Sequence, residues 1–130
     1  MKRAAIYARV STLRQEQEET IEAQLGAIKE RISHDGMSLV TDCIYKDEGY
    51  SGSLIDRTGL DRLREDRKKD LFDVVYVFDY GRLSRELTDL MIVKDDIERN
   101  TQVVSLFERI TGDPATDILL MQIMVAVHEY

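Results

Sequence analysis

Apolar residues along this chain follow two alternating patterns. Short runs rich in β-branched and aromatic residues predict strands, and they lie at residues 4–10, 38–46, 73–79 and 102–107. Between these runs, apolar residues recur every three or four positions, which predicts helices over residues 21–32, 59–69 and 87–99. The alternation predicts a single α/β domain with a central, mostly parallel sheet of about four to five strands flanked by helices.

Local signals mark the ends of these elements. Asp35 and Gly36 are typical of a helix end, and Thr58 followed by Asp61 resembles a capping box that begins the second helix. Lys94 is the polar exception on the apolar face of the third helix. Polar segments at residues 13–20, 47–57 and 80–85 are predicted to connect the elements as loops or turns. Residues 13–20 could instead form a solvated first turn of a helix.

The last segment differs from the other predicted helices. Asp113 and Pro114 are typical of a helix start, and from Ile118 to Val127 only Gln122 is polar. A helix that is apolar on nearly all sides lies deep in a core or is covered by another chain. In a domain of 130 residues, cover by another chain is a serious alternative to burial in the core. The pattern reaches Tyr130 without a terminating signal, so we expect this helix to be truncated there.

The composition is typical of one soluble globular domain over residues 1–130. Hydrophobic residues make up 43% of the chain and charged residues 33%, and no apolar run reaches the roughly 18 residues that a membrane helix needs. Charged residues follow soon after the basic start, so we expect neither a signal peptide nor a membrane partner. The single cysteine, Cys43, favours a reducing cytoplasm, and the spacing of His34 and His128 does not suit a metal site.

The net charge of −7 argues by itself against a nucleic-acid partner, because such proteins usually carry a basic surface. The basic residues, however, are 12 arginines and 6 lysines. Arginine can donate paired hydrogen bonds to phosphate oxygens, so the position of the arginines matters more than their number.

Several arginines lie near predicted carboxyl ends of strands, where ligands bind in open α/β sheets. Arg9 and Ser11 end the first strand, and Arg82 and Arg85 follow the third. A hydroxyl beside several guanidinium groups favours phosphoryl transfer, because the cations stabilise the transition state and ease formation of the alkoxide. This chemistry needs no metal and no cofactor. The competing interpretation is that Ser11 is an ordinary helix cap and that the arginines pair with nearby acids.

Several segments together resemble the catalytic domain of the serine recombinases, the resolvase and invertase family with its large integrase relatives. In chain order they are Tyr7 to Thr12, Thr20 to Gln24, Asp47 to Gly52 with Asp56 to Leu60, and Gly81 to Arg85. Their order and spacing match the family over most of the chain. The second and third segments are most similar to those of integrases and transposon recombinases.

The resemblance implies that Ser11 attacks a DNA phosphodiester and holds the 5′ phosphate as a phosphoserine ester. Arg9, Arg82 and Arg85 would contact the scissile phosphate, and Arg82 or Arg85 would assist proton movement at the leaving 3′ oxygen. Strand exchange and religation would follow without ATP or metal. The residues that the family uses to support the site match Tyr7, Gln24, Asp47, Ser51 and Arg57.

The resemblance also implies partners, namely double-stranded DNA at specific attachment sites and further copies of the chain, as a dimer and as a tetramer in the synaptic complex. The last helix would begin the oligomer interface, through Ile118, Met121, Met124 and Val125. The DNA-binding region is absent from residues 1–130 on this interpretation, and it would carry most of the non-specific DNA affinity.

Departures from the family pattern leave alternatives open. Gly81 stands where the arginine motif usually begins with Asp, and Asp79 lies two residues earlier as a candidate replacement. Asp47 and Glu48 both suit the acidic position of the third segment. The alternative function is a catalytically inactive, recombinase-like assembly module or a phosphate-binding module, although the chain lacks a Gly-rich phosphate loop. An acyl hydrolase would need a general base, and neither histidine lies at a predicted strand end.

Overall fold

The computed structural model describes residues 2–10, 20–48, 50–51, 54–55, 57–84 and 86–106, together with Leu119, Gln122 and Ile123. The strands over these residues are β1 (Arg3–Val10), β2 (Ser38–Glu48), β3 (Tyr50–Ser51), β4 (Leu54–Ile55), β5 (Val74–Val77) and β6 (Gln102–Ser105). The helices are α1 (Ile21–His34), α2 (Thr58–Lys68) and α3 (Leu87–Ile97), with a 3-10 turn at Tyr80–Arg82.

The main sheet has four strands in the order β2-β1-β5-β6, and each neighbouring pair is parallel. This arrangement confirms the predicted α/β domain with a parallel sheet flanked by helices. The short strands β3 and β4 form a separate antiparallel pair, with Tyr50 opposite Ile55. They lie within residues 47–57, which were predicted as a loop, because strands of two residues are too short to show a hydrophobic period.

The central strand β1 is covered on both faces. Ile6 packs against Ile28 of α1 on one face, while Tyr7 lies in a second core with Leu63 of α2 and Leu90 of α3 on the other. All these side chains are buried, and burial of each large apolar side chain stabilises the fold by about 1.5–3 kcal/mol. The alternation of side chains along a strand therefore assigns α1 to one face of the sheet and α2 with α3 to the other.

The predicted end of α1 is confirmed, and α2 begins within one residue of its predicted start, but the predicted capping box at Thr58 is wrong. α1 ends at the cap residue Asp35, and Gly36 adopts φ of +72°, which glycine reaches at low cost. The cap residue of α2 is Arg57, whose side chain makes no capping bond, and Thr58 is already the first helical residue. A carboxylate from β2 binds the first N–H groups of α2 instead, as described below.

The face of α3 also differs in detail from the prediction. Val93, which the predicted face omitted, is buried together with Leu90 and Ile97. Lys94 lies on this inner side and pairs with Glu98, and its Nζ lies 6.0 Å from the centre of the Tyr80 ring. The long aliphatic stem of lysine allows this placement.

The last segment falls mostly outside the described residues. Among its members that are described, Leu119 and Ile123 are helical and are 55% and 50% exposed. The predicted interface residues lie outside the described part of the chain, and they are Ile118, Met121, Met124 and Val125. Across the described ranges, no helix is long and apolar enough to cross a membrane. Cys43 is buried with a free thiol.

An ion pair holds the edge of the sheet that lies opposite the strand carboxyl ends. The Arg3 backbone N–H and Nε donate to Asp73 Oδ2 at 2.8 and 3.2 Å, and Arg3 Nη2 donates to Asp73 Oδ1 at 3.0 Å. The side-chain and backbone hydrogen bonds from Arg3 lower the pKa of Asp73 to about 2. In the unfolded chain this carboxyl takes up its proton at a higher pH, so the pair stabilises the fold above about pH 4 and is lost as pH falls through 2.

We predict that Asp73→Asn lowers the free energy of unfolding at pH 7 by about 1 kcal/mol, a small value because solvent screens the partly exposed pair. The difference from wild type shrinks as pH falls from about 4 to 2. Urea unfolding at several pH values measures this difference. Asp42→Asn, at an exposed position of β2, is the control, and a difference that stays constant down to pH 2.5 would contradict the prediction.

Candidate active site

The described residues of the predicted site lie around the carboxyl end of the parallel sheet. β1 and β2 run side by side there, with Arg9 opposite Asp47. β5 ends at Val77 on the other side of β1, and the 3-10 turn that carries Arg82 follows it. Parallel strands share their carboxyl edge, so residues far apart in the sequence meet at one place.

Asp47 at the end of β2 is buried, with 2% of its surface exposed, whereas Glu48 is exposed. Its Oδ1 accepts a hydrogen bond from the Gly59 N–H at 2.6 Å. Its Oδ2 accepts one from the Leu60 N–H at 3.0 Å and one from the Tyr7 hydroxyl at 2.6 Å. The carboxylate therefore caps α2 and ties it to β1.

Tyr7 is a hydrogen-bond donor in this arrangement at all physiological pH values. Burial raises the pKa of its hydroxyl far above the ordinary value, and the hydrogen bond to the negatively charged Asp47 raises that pKa further. The hydroxyl is consequently protonated, and its role in the described structure is to hold Asp47 in place.

Gly59 is required where α2 approaches the end of β2. A Cβ atom on Gly59 would lie 2.6 Å from the Lys46 carbonyl oxygen and 2.9 Å from Asp47 Oδ1. Since the first of these atoms belongs to the backbone, it cannot move aside without shifting the strand. Any larger residue at this position would push the helix away from the carboxylate that caps it.

Arg9 and Arg82 are joined through backbone carbonyl groups. Arg9 Nη2 donates to the Gly81 carbonyl at 2.7 Å, and Arg82 Nη1 donates to the Arg9 carbonyl at 3.1 Å. Gln24 Nε2 donates to the same Arg9 carbonyl at 3.1 Å. The structure thus brings together three of the predicted residues, and α1 contributes one of them.

A carboxylate also contacts Arg82. Asp79 Oδ1 accepts a hydrogen bond from the Arg82 backbone N–H at 3.2 Å, and its Oδ2 lies 3.5 Å from Arg82 Nε. Both residues are nearly buried, with 6% and 8% of their surface exposed. The Arg82 guanidinium carbon also lies 5.8 Å from the centre of the Phe78 ring.

Arg57 holds neighbouring elements together. Its Nη1 donates to Asp89 Oδ2 of α3 at 2.9 Å, and its Nη2 donates to the Leu83 carbonyl at 2.8 Å. Arg57 therefore connects the start of α2 with α3 and with the turn that carries Arg82. Sequence reasoning did not identify Asp89, because nothing in the local pattern of α3 shows which of its acidic residues contacts Arg57.

Three predicted site residues are not placed by the structure. Ser11 and Arg85 lie outside the described residues, and of Ser51 only its backbone position in β3 is described. Among the described residues no cluster of histidine, cysteine and carboxylate side chains could hold a metal ion. The described part of the site brings together the guanidinium groups of Arg9, near the end of β1, and Arg82, in the turn after β5. Ser11 follows two residues after Arg9 in the sequence. Such a group of fixed cationic donors can bind a phosphate and stabilise charge that develops on its oxygens.

Comparison with known proteins gives a consistent result. Residues 4–130 match the family model described as Resolvase, N terminal domain. A Bacillus subtilis (strain 168) protein named "Putative DNA recombinase" is 40% identical over 97 residues, which are 73% of this chain and 18% of that protein. The chain thus spans about a fifth of the length of this relative.

Solved structures share the fold. The N-terminal catalytic domain of TP901-1 integrase is 33% identical with a TM-score of 0.71, and the match covers 98% of this chain and 95% of that one. A resolvase family site-specific recombinase from Streptococcus pneumoniae is 25% identical with a TM-score of 0.76, covering 99% and 89% of the two chains. The catalytic domain of ISC1926 TnpA, an IS607-like serine recombinase, is 24% identical with a TM-score of 0.68 over 96% and 80%, and it supports the fold alone.

We predict that Gly59→Ala destabilises the protein by about 2 kcal/mol, because the added methyl group overpacks the contact between α2 and the end of β2. Gly26→Ala is the matched control, since a Cβ atom there meets nothing within 4 Å. Alanine within α1 should stabilise the protein by about 0.5–1 kcal/mol through its higher helix propensity. Thermal or urea unfolding of both variants measures the effects, and equal stability of the two would refute the close contact at Gly59.

Proposed function

This chain belongs to the resolvase N-terminal domain family of serine recombinases, and we propose that it is the DNA-cleaving domain of a site-specific recombinase. The proposal rests mainly on the hydrogen bond that Arg82 Nη1 donates to the Arg9 carbonyl. This bond holds the two arginines together at the sheet edge, and Ser11 follows β1 in the sequence. The names of the similar proteins, which include an integrase and a site-specific recombinase, support it.

The proposed reaction is a transfer of one phosphodiester bond. Ser11 Oγ attacks the scissile phosphorus, an Oγ–P bond forms, and the bond from phosphorus to the 3′ oxygen breaks. The hydroxyl proton of Ser11 is given up and the departing 3′ oxygen gains a proton, so charge is balanced across the step. Because one phosphate diester replaces another, the reverse reaction with a new 3′ hydroxyl rejoins DNA without ATP.

The arginines supply the electrostatic part of this proposal. Guanidinium groups donate from fixed positions and stay charged in proteins, so Arg9, Arg82 and Arg85 stabilise the extra negative charge on the phosphate oxygens in the transition state. Arg82 or Arg85 also donates to the leaving 3′ oxygen as that oxygen gains its proton. Tyr7, Gln24, Asp47 and Arg57 act by holding the arginine-bearing segments in place, and Ser51 belongs to the same set by its position in the sequence.

The partners in this proposal are double-stranded DNA with specific attachment sites and other copies of the protein, within the cytoplasm. The net charge of −7 makes this domain a poor source of non-specific DNA affinity, which comes mainly from phosphate neutralisation. We therefore place most of that affinity in a DNA-binding region outside residues 1–130. The greater length of the Bacillus subtilis relative is consistent with such a region.

We predict that the complete protein forms a covalent DNA adduct on Ser11. The protein is mixed with DNA carrying its attachment sites, cleavage is trapped, and the digested product is examined by mass spectrometry. Ser11→Ala should abolish the adduct, whereas Ser33→Ala, at an exposed position of α1, should retain it. Specific DNA binding by the folded protein without any adduct would favour the non-catalytic assembly or phosphate-binding module, for which the replacement of the usual Asp by Gly81 is the main support.

We also propose that the apolar segment from Ile118 to Val127 is shared with a second copy of the protein. Apolar side chains at Leu119 and Ile123 are half-exposed in the described structure, and exposed apolar surface of this kind marks interaction sites. Met121→Asp or Val125→Asp should lower the mass measured by light scattering, because a buried charge opposes association. Gln122→Glu, at an exposed position of the same segment, is the control, and an unchanged mass in both aspartate variants would count against a shared surface.

A further inference from the structure

We propose that Asp79 positions Arg82 for phosphate binding and replaces the aspartate that the arginine motif lacks at Gly81. The inference rests on the proposed function, because it assigns the Arg82 guanidinium to the scissile phosphate. It goes beyond that function by assigning a positioning role to a residue outside the family's arginine motif.

The first support is the way in which Asp79 contacts Arg82. One carboxylate oxygen accepts from the Arg82 backbone N–H at 3.2 Å, and the other lies 3.5 Å from the side-chain Nε. Asp79 is the cap residue of the 3-10 turn Tyr80–Arg82. The same carboxylate therefore fixes both the backbone of the turn and the direction in which the arginine side chain leaves it.

The second support is that the Arg82 guanidinium has a hydrogen bond on one nitrogen atom and an ion-pair contact, longer than a good hydrogen bond, beside another. The Asp79 carboxylate contacts Nε, and the Arg9 carbonyl accepts from Nη1. Because the guanidinium is planar and rigid, two such contacts define its orientation.

The third support is burial. Asp79 and Arg82 are both more than nine-tenths buried, and solvent therefore screens their interaction less than that of a surface pair. Removal of one charge from a buried pair leaves the other poorly compensated. The orientation of Arg82 should consequently depend strongly on the charge of residue 79.

The inference can be tested directly by moving the carboxylate from position 79 to position 81. Gly81 contributes its backbone carbonyl, which accepts from Arg9 Nη2 at 2.7 Å, and a substitution would keep this carbonyl. Its φ lies outside the left-handed region, since Gly36 is the one glycine with positive φ among the described residues. An aspartate at position 81 therefore avoids the strain of a left-handed backbone.

The experiment compares Asp79→Asn, Asp79→Glu and the double variant Asp79→Asn with Gly81→Asp in the complete protein. Asparagine keeps an oxygen for the Arg82 N–H but removes the charge. We expect Asp79→Asn to slow single-turnover DNA cleavage at saturating protein by about tenfold or more, because a displaced catalytic group costs rate rather than affinity. Asp79→Glu should retain more activity than Asp79→Asn, and the double variant should recover most of the loss.

A second measurement does not depend on activity. The NMR signal of the Arg82 Nε–H group should shift in Asp79→Asn, because the charge 3.5 Å from Nε is removed, and it should return toward the wild-type position in the double variant. Asp73→Asn is the matched control, since it neutralises another aspartate bound to an arginine at the opposite edge of the sheet. Circular dichroism shows whether each variant folds.

The outcomes separate this inference from the proposed function. Wild-type cleavage through Ser11 together with an Asp79→Asn variant as fast as Asp73→Asn would overturn the inference and leave the function intact. A slow Asp79→Asn variant that neither Asp79→Glu nor Gly81→Asp improves would reduce Asp79 to a structural cap and would also overturn it. If the wild-type protein forms no adduct, the proposed function is wrong. The NMR signal of Arg82 Nε–H then shows by itself whether Asp79 positions the Arg82 side chain.

Discussion

The buried carboxylate of Asp47 is the contact on which the rest of the site depends. An ionised carboxylate costs several kcal/mol to remove from water unless donors replace its hydration, and here the Tyr7 hydroxyl and two backbone N–H groups of α2 do so. The N-terminus of a helix also carries a partial positive charge and N–H groups without partners within the helix. One side chain thereby joins β1, β2 and α2, and the close approach explains why Gly59 carries no side chain.

The position of α2 then determines where the second half of the site lies. Arg57 directly precedes the helix, and from there it reaches both the Leu83 carbonyl and Asp89 of α3. The turn that follows β5 is therefore held from the α2 side by Arg57 and from the β1 side by Arg9, which donates to the Gly81 carbonyl. Arg82 lies between these attachments. Fixed cationic donors of this kind need little reorganisation when a phosphate binds, which is the condition for efficient electrostatic stabilisation of a transition state.

The order of the helices and strands was predictable because each is encoded by a local hydrophobic period. The parallel sheet and the burial of β5 followed from the same pattern and are confirmed by the structure. The burial of Asp47 and the exposure of Glu48 follow the alternation of side chains along β2. Residues 43, 45 and 47 share one face of β2, and Cys43 and Tyr45 on that face are apolar and buried. By contrast, the predicted capping box at Thr58 is wrong because the first N–H groups of α2 donate to the Asp47 carboxylate of β2.

The sequence by itself determined the alternation of elements, the family, and the gathering of Arg9 and Arg82 at the carboxyl edge of the sheet. Those features depend on periodicity and on the rule that parallel strands share an edge. Only the tertiary structure decided which group each polar side chain contacts: the Arg9 carbonyl for Arg82, the Gly81 carbonyl for Arg9, and Asp79 beside Arg82. Hydrogen bonds act over about 3 Å and depend on direction, so partners separated by more than seventy residues, as Arg9 and Gly81 are, are defined only when the packed strands set the distances between them.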